Sequence, residues 1–236
     1  MLFRSVSTDL SDQAWVRLYP INFRYLQQDR KFRKYDVIRV TVRPARADAR
    51  AESWRPDMTS LVVVRSLPTW KRRRTWLDPY VEPSMCRLNL AARTDAHARS
   101  LGLVRVGQVL GLDVEHHPGW NADEERKIRA YVSQLDLFGE EDRTPLQAPR
   151  FRGSYRWRCD DRACGGHRQE LRDWEFVALQ RRLRGLSDVD AMHQLERRFL
   201  DELCKSSKDV AFYVGNQAKR EQAFSVLGVY YPPATN

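Results

Sequence analysis

Alternating polar and apolar positions predict strands in the first half of the chain. In YDVIRVTVR (35–43), Val37 and Arg39 alternate with Ile38 and Val40, and such β-branched residues favour extended backbone. Three further segments have the same strand character: 15–26, 61–67 and 104–117. PARADARAESWRPD (44–57) has no period and predicts a long loop. The first half is therefore expected to be rich in strands.

Helical spacing of apolar positions becomes prominent later in the chain. LNLAARTDAHARSLG (88–102) has helical composition, and the segment 121–139 has a capping box at Asn121 and Glu124. Two amphipathic helices are predicted at about 168–184 and 188–204. One face of the second carries Val189, Met192, Leu195, Phe199 and Leu203. DVAFYVG and AFSVLGVYY then predict a terminal pair of strands.

These elements predict an α+β fold in three segments. Residues 1–118 form a basic, strand-rich half, and residues 119–153 form a helix and a linker. Residues 154–236 form a half in which a zinc-stapled turn leads into two helices and the terminal strand pair. No internal repeat and no low-complexity tract interrupts this order.

The positive charge is concentrated in the first half. The chain has 41 Lys and Arg against 31 Asp and Glu, a formal net charge of +10. Residues 1–118 hold 21 basic and 12 acidic side chains, whereas 154–236 hold 14 and 12. A field of this kind attracts polyanions, so we expect nucleic acid, DNA or RNA, as the partner. An acidic protein surface is the competing interpretation.

The start of the chain indicates no membrane partner. MLFRSVSTDLSDQAW lacks the apolar core of a cleaved signal, and no run approaches the ~18 apolar residues of a spanning helix. We therefore expect a cytoplasmic protein. The low density of cysteines, four in 236 residues, favours thiols or metal ligands over disulfides.

The segment RCDDRACGGHRQELRDWE (158–175) contains a candidate metal site. Cys159, Cys164 and His167 have the spacing Cys-x4-Cys-x2-His, and two glycines precede the histidine. Thiolates and an imidazole suit Zn²⁺, and glycines allow the tight turn that brings ligands of one loop together. The alternative is that the two cysteines are small core residues. Nothing nearby resembles a hydrolytic zinc helix, so we expect a structural Zn²⁺.

The fourth ligand is not marked by spacing. We predict Cys204, because an antiparallel pair of helices would return its end toward His167. Cys86, His193 and water remain alternatives, and a water ligand would make the site catalytic instead of structural.

Clusters of basic residues are the candidates for phosphate contacts. KRRR (71–74) lies in the half that carries the net charge, whereas RFRGSYRWRC (150–159) alternates arginines with aromatic residues. The second pattern also fits a strand whose aromatic residues face the core. The predicted nucleic-acid contacts are Lys31, Arg33, Lys34, Lys71, Arg72, Arg73, Arg74, Arg150, Arg152 and Arg156.

A metal-dependent nuclease or hydrolase is the alternative function. Asp113, Glu115 and His117 are two residues apart in a predicted strand, so they would project from one face. Alternating polar residues also mark the wet face of an ordinary strand. Asp173 and Glu175 fall in the predicted helix, where residues two apart diverge by about 200° and cannot share an ion. We assign them to solvent and to helix packing or capping.

Several segments together resemble an uncharacterised family of bacterial proteins. They are RLYPINFRYL, FRKYDVIRV, SLGLVRVGQVL, RCDDRACGGHRQELRDWE and FYVGNQAKREQAFSVLGVYYPP, which span most of the chain. The resemblance implies that Cys159, Cys164, His167, Asp-Trp-Glu and Val-Gly-Asn belong to the family's pattern. It implies no activity. The leading hypothesis is therefore a nucleic-acid-binding protein with structural zinc, and an interaction subunit with an acidic partner is a further alternative.

Overall fold

The computed structural model describes residues 2–4, 15–21, 26, 31–46, 48, 50–95, 97–133, 145–218 and 220–235. The fold is α+β and rich in strands, as predicted. The strands are β1 (Leu2–Arg4), β2 (Trp15–Leu18), β3 (Asp36–Arg39), β4 (Val42–Pro44), β5 (Ser53–Pro56), β6 (Val62–Ser66), β7 (Val81–Glu82), β8 (Leu101–His116), β9 (Phe151–Cys159), β10 (His167–Leu171), β11 (Ala211–Gln217) and β12 (Arg220–Tyr230). The helices are α1 (Trp70–Leu77), α2 (Met85–Thr94), α3 (Ala122–Ser133), α4 (Trp174–Arg182) and α5 (Asp188–Glu196), which continues as a π-helix (Arg197–Glu202). No described helix has the length and apolar character needed to cross a membrane.

Five strands hydrogen-bond in a closed ring that uses both ends of the long strand β8. Its first residues pair antiparallel with β11, and its remainder pairs antiparallel with β9. The ring continues from β9 to β10, from β10 to β12 and from β12 to β11, while β7 adds to the outside of β8 in parallel. Closure leaves these strands few free edges. The predicted segments 1–118 and 154–236 both supply strands to this ring.

Aromatic side chains of β9 fill the ring on the side covered by α4 and α5. Phe151, Tyr155 and Trp157 are almost fully buried, and the intervening Arg152, Arg156 and Arg158 are exposed. The Tyr155 hydroxyl donates to the Phe199 carbonyl over 2.6 Å, so the aromatic face also anchors the π-helix. Of the two interpretations of this segment, the structure shows the one in which the aromatic residues face the core.

The residues before β7 form separate elements that pack on the start of β8. β1, β2, β5 and β4 make a four-stranded sheet, and β3 and β6 make a two-stranded sheet of their own. A second apolar cluster joins these elements to the ring through Trp15, Leu77, Leu101, Leu103, Ala211 and Tyr230. Glu52 strengthens the junction, because it accepts hydrogen bonds from the Ser100 backbone N–H and hydroxyl.

The predicted helix 168–184 begins later than expected. Residues 167–171 form β10, where Gln169 and Leu171 are buried against the ring, and the helix starts only at Trp174. The prediction was wrong because HRQEL has no apolar period of its own, and cross-strand pairing with β9 decides the outcome.

Three other boundaries differ from the predictions. Residues 53–56 of the predicted loop form β5, since they pair with both β2 and β4. The predicted strand 15–26 ends at Leu18, and its residues 22–25 lie outside the described residues. In the helix predicted at 121–139, the described part is Ala122–Ser133, and 134–139 lie outside it. Val189, assigned to the buried face of α5, is exposed.

Asp173 holds the start of α4 from a buried position. Its Oδ1 accepts a hydrogen bond from the Glu175 backbone N–H at 2.7 Å, whereas its buried Oδ2 has no hydrogen-bond partner among the described residues. Burial raises the pKa of Asp173 to about 6, although the nearby Lys34 ammonium acts in the opposite direction. Lys34 itself donates to Glu175 Oε2 at 3.1 Å. The capping role predicted for this pair therefore falls on Asp173, which is buried and not solvated.

We expect Asp173→Asn to stabilise the folded state relative to wild type, by an amount that increases as the pH rises. The ordinary pKa of an aspartate carboxyl is 3.8, and that of folded Asp173 is about 6. Burial of the carboxyl therefore costs no stability below the lower pKa and its full penalty above the higher one. The free energy of unfolding of D173N minus that of wild type should therefore rise between pH 4 and pH 7, on the order of 1 to 3 kcal/mol. Urea unfolding at each pH measures it.

Asp57→Asn is the matched control. Asp57 also caps a helical turn, but hydrogen bonds from Thr59 lower the pKa of this exposed carboxyl. Its mutant-minus-wild-type difference should fall as the pH rises. A D173N difference that is flat, or that has the same sign as D57N, would contradict the assignment.

Candidate metal centre

One cysteine of α2 and three residues of the β9–β10 connection meet in a single cluster. The cluster contains Cys86, Cys159, Cys164 and His167, whose ligand atoms all lie within 4.8 Å of one another. Cys86 Sγ is 3.9 Å from Cys159 Sγ and 3.7 Å from His167 Nε2. Cys164 Sγ lies 3.2 Å from the same imidazole nitrogen. These four donors therefore converge on one point.

The separations of 3.2 to 3.9 Å are close to those of ligands around a tetrahedral ion. With metal–sulfur bonds of about 2.3 Å and metal–nitrogen bonds of about 2.0 Å, neighbouring ligand atoms lie roughly 3.5 to 3.8 Å apart. A Cys3His donor set of this size can hold a metal ion, and it supplies all four positions of a tetrahedron. The residues present fit a site closed by protein ligands.

The β9–β10 connection is folded so that its three ligands point the same way. Cys159 ends β9 and His167 begins β10, where it pairs across the hairpin with Trp157. Gly166 has a φ of +110°, a left-handed conformation that a side chain would disfavour. Within the loop, Asp161 accepts a hydrogen bond from the Cys164 backbone N–H. The local backbone geometry of this hairpin therefore brings the three ligands of the Cys-x4-Cys-x2-His unit together.

Ser84 connects α2 to this loop through hydrogen bonds of its hydroxyl group. Its hydroxyl caps α2 by accepting from the Arg87 N–H at 3.1 Å, and it donates to Asp161 Oδ2 at 2.7 Å. The next residue, Met85, is fully buried in the main core. The first turn of α2 is therefore fixed on both sides, which sets the position of Cys86.

The electrostatics of the cluster favour one thiolate and oppose a second. Burial favours the neutral thiol of Cys159, but backbone N–H groups of Cys86, Asp161 and Met85 offset it and lower the pKa of Cys159. Burial and the neighbouring cysteines raise the pKa of Cys86. Burial also lowers the pKa of His167, which keeps its imidazole neutral and able to coordinate. A bound cation would stabilise the thiolates together.

Gly107 gives Cys159 the space it needs, and sequence reasoning missed it. It lies at an irregularity in the β8–β9 pairing, opposite Cys159. A Cβ at Gly107 would lie 2.8 Å from the Cys159 carbonyl oxygen and 3.1 Å from its carbon. An isolated glycine inside a strand pattern is the signal that could have indicated such a close backbone approach.

The prediction that Cys204 is the fourth ligand is corrected by the structure. Cys204 follows the π-helix, and its Sγ donates to the Phe199 carbonyl over 3.4 Å. The prediction required His167 to begin a helix antiparallel to 188–204, but His167 begins a strand. Cys86 occupies the fourth position, while His193 is exposed on α5. Cys86 carried a weak signal, a cysteine just after the capping Ser84.

The carboxylates of the predicted nuclease site are bonded to arginines. Asp113 and Glu115 project from one face of β8, but Asp113 accepts from Arg156 and Arg168 at 2.9 and 3.1 Å. Glu115 accepts from Arg168 and Arg152 at 3.0 and 2.7 Å. His117 lies just beyond the strand and accepts from the Gly119 N–H. Catalysis by these three residues stays a prediction.

The predicted phosphate contacts other than Arg73 separate into two groups. Those that form ion pairs with protein carboxylates are Lys34, Arg74, Arg150, Arg152 and Arg156. Arg73 stacks on Tyr35 and Trp70. Those without an ion pair to another described residue are Lys31, Arg33, Lys71 and Arg72. The second group is the one with charge available to a partner.

Replacing Cys86 should release the metal and destabilise the fold. Cys86→Ser removes one of four ligands, and we expect the bound metal to fall below half an equivalent, with a loss on the order of 3 to 5 kcal/mol in the free energy of unfolding. Elemental analysis and urea unfolding measure the two effects.

Cys204→Ser provides the matched control. It removes a partly buried thiol outside the cluster, so the metal content should stay at one equivalent. Equal metal loss in both variants, or full occupancy in Cys86→Ser, would contradict the ligand assignment.

Two family models match the chain. A family model described as a domain of unknown function (DUF8758) matches residues 5–79, and one described as a domain of unknown function (DUF8757) matches residues 81–236. No curated protein and no solved structure matches the chain. The four clustered ligands all lie in the second stretch, which covers more than half of the sequence. The chain therefore belongs to the uncharacterised family described as a domain of unknown function (DUF8757).

Proposed function

We propose that the protein binds nucleic acid through cations of residues 31–76, and that a Zn²⁺ ion at the Cys3His cluster has a structural role. Residues 31–76 contain 13 Lys and Arg side chains and four Asp and Glu side chains. This excess is the sequence feature from which the proposal starts, since it attracts phosphates. The contacts of these side chains support it further.

Most cations of this region form no ion pair with a protein carboxylate, although Asp57 attracts Arg43 at longer range. Arg50 pairs with Asp48, Arg74 with Asp78 and Lys34 with Glu175, and Arg73 stacks on aromatic rings. The other nine make no ion pair with another described residue, although Arg65 stacks over the Trp76 ring: Lys31, Arg33, Arg39, Arg43, Arg46, Arg55, Arg65, Lys71 and Arg72. All but Lys31 are exposed to solvent. A phosphate would not have to displace a carboxylate from them.

The single observation that carries the proposal is a pair of arginines placed directly opposite each other. Arg43 of β4 and Arg55 of β5 are cross-strand partners, and both are exposed. Like charges directly opposite one another destabilise a sheet. A phosphate between the two guanidinium groups would convert that repulsion into two charge-assisted hydrogen bonds. The pair therefore fits a polyanion better than it fits the isolated protein.

The arginines of β9 are poorer candidates for the same role. Arg152 and Arg156 are also exposed, but they neutralise Glu115 and Asp113. Phosphate contact there would require breaking these pairs. The two arginines of β9 are therefore less available to a phosphate than the unpaired arginines of residues 31–76.

The closed ligand set supports a structural role for the metal. Four protein donors leave a tetrahedral ion no open position for water or substrate. Three thiolates and an imidazole suit Zn²⁺, which prefers these donors in this geometry. The ion would hold α2 to the β9–β10 hairpin and so stabilise the ring on which the basic elements pack.

Replacing both opposed arginines should weaken binding and flatten its salt dependence. For Arg43→Gln/Arg55→Gln, we expect the slope of log K against log salt to decrease by about two, since two phosphate contacts are lost. Fluorescence anisotropy with labelled DNA and RNA from 50 to 300 mM salt measures it; these concentrations are about the range in which such contacts change affinity.

The control is Arg152→Gln/Arg156→Gln, which removes the same charge from β9. This variant should keep the wild-type slope. An absence of binding at 50 mM salt, or equal slopes for the two double variants, would overturn the proposal. A shallow salt slope in the wild-type protein would indicate a partner recognised by other forces.

A further inference from the structure

The four-stranded sheet of β1, β2, β5 and β4 has one apolar face and one polar face. Val16, Leu18 and Pro56 lie on the apolar face and are buried. On the other face, Arg17 of β2 is opposite Ser53 of β5 and donates a hydrogen bond to its hydroxyl at 3.1 Å. Side chains alternate between the two faces of a strand, so every second residue from Arg17 and from Ser53 belongs to this polar face.

Two residues further along, the polar face has Tyr19, Arg55 and Arg43 in one row across three strands. The Tyr19 backbone N–H donates to the Trp54 carbonyl at 3.0 Å, which repeats the parallel pairing of the Arg17 N–H two residues earlier. This repeat places Tyr19 at the register position opposite Arg55. Arg55 is in turn the cross-strand partner of Arg43. We call Tyr19, Arg55 and Arg43 the exposed row.

All three side chains of the exposed row are open to solvent. Tyr19 is 73% exposed, and its side chain makes no hydrogen bond or ring contact with another described residue. Arg43 and Arg55 are exposed and make no ion pair with a described carboxylate. Asp57 attracts Arg43 at longer range, but its Oδ1 accepts hydrogen bonds from the Thr59 N–H and hydroxyl. The row therefore consists of a free aromatic ring beside two available guanidinium groups.

This combination matches the two chemical parts of an unpaired nucleotide. Aromatic side chains stack on the faces of unpaired bases, and guanidinium groups bind phosphate through charge-assisted hydrogen bonds. Neighbouring strands are about 4.8 Å apart, so the row is roughly 10 Å long. A base and the phosphates next to it can therefore contact all three side chains together.

The same geometry disfavours a duplex as the partner. In a duplex each base face is covered by the neighbouring base pair, so Tyr19 could stack only on a base that has left the helix. The major groove of B-form DNA admits a helix or a two-stranded ribbon, whereas the exposed row belongs to a sheet of four strands. A single strand meets neither obstacle.

We propose that the exposed row binds single-stranded nucleic acid, with an unpaired base stacked on Tyr19 and the neighbouring phosphates bound by Arg55 and Arg43. This inference rests on the proposed nucleic-acid binding and narrows it to a single-stranded partner. It adds a base contact to the phosphate contacts of the two opposed arginines.

Competition experiments on the wild-type protein test the partner. At about 100 mM salt, oligo(dT) or oligo(U) should compete at least about tenfold better than a duplex of the same length, although the duplex has more phosphates. Tighter binding of either strand than of the duplex supports the inference. An abasic strand of the same length should bind about tenfold more weakly than oligo(dT), because it keeps the phosphates but has no base to stack on Tyr19. Equal competition by the duplex, or equal affinity of the abasic strand, would overturn the inference.

Replacing the aromatic ring tests the contact directly. Tyr19→Ala should weaken binding of oligo(dT) about tenfold and leave the salt slope at its wild-type value, because the lost ring has no charge. Tyr19→Phe keeps the ring and should bind within about twofold of wild type. Trp174→Ala is the matched control, since it removes a 57% exposed aromatic residue of α4, and its affinity should also stay within about twofold. Equal affinity of Tyr19→Ala and Trp174→Ala would contradict the inference.

The outcomes separate this inference from the function on which it rests. If the protein binds no nucleic acid at low salt, the proposed function fails and the inference fails with it. If Arg43→Gln/Arg55→Gln flattens the salt slope but Tyr19→Ala and the abasic strand bind normally, only the base contact is wrong. Urea unfolding establishes that Tyr19→Ala is folded; if it is not, competition by the duplex and the abasic strand on the wild-type protein decides.

Discussion

The convergence of three thiols and an imidazole within 4.8 Å is the constraint on which the architecture depends. Contact among these groups alone does not stabilise the fold, because ionised thiols repel one another and neutral thiols gain little from contact. A bound cation would reverse this balance, and its binding free energy would then become folding free energy. The cluster joins the first turn of α2 to the β9–β10 hairpin, which is part of the strand ring. Its effect therefore extends beyond a single loop.

The two parts of the chain use the same basic residues in opposite ways. In the ring, Asp113 and Glu115 neutralise three arginines and thereby stabilise a charged sheet surface. In residues 31–76, acidic residues are few, and like charges stand opposite each other at Arg43 and Arg55. A fold that needed only solubility would gain from interspersing the two signs. The segregation is understandable if the first part meets a polyanion.

Much of the secondary structure could be predicted from the sequence, because the relevant signals were local. The alternation of β9 and the capping box of α3 are examples, and so are the clustered spacing and glycines of Cys159, Cys164 and His167. The fourth ligand could not be predicted this way. Cys86 reaches the cluster across more than 70 residues of chain, and its position depends on tertiary packing of α2.

The errors had a common physical cause. HRQEL has helix-compatible composition, but pairing with β9 makes it a strand, and the error at β10 led directly to the choice of Cys204. Residues 53–56 lack an apolar period, but partners on both sides make them a strand. Local propensity is a weak guide wherever distant backbone supplies the hydrogen bonds.

The two-partner strand β8 also has a consequence for the order of folding. Its pairing with β9 joins segments fairly near in sequence, whereas Arg105 and Ala211 meet only when a loop of more than 100 residues closes. Loop-closure entropy must be overcome before that contact becomes favourable, and non-local pairings of this kind slow folding. The ring is thus expected to form in stages, with the β8–β9–β10 meander first and its closure by β11 last. Until that closure, the β11-facing edge of β8 is an open template for intermolecular pairing during synthesis.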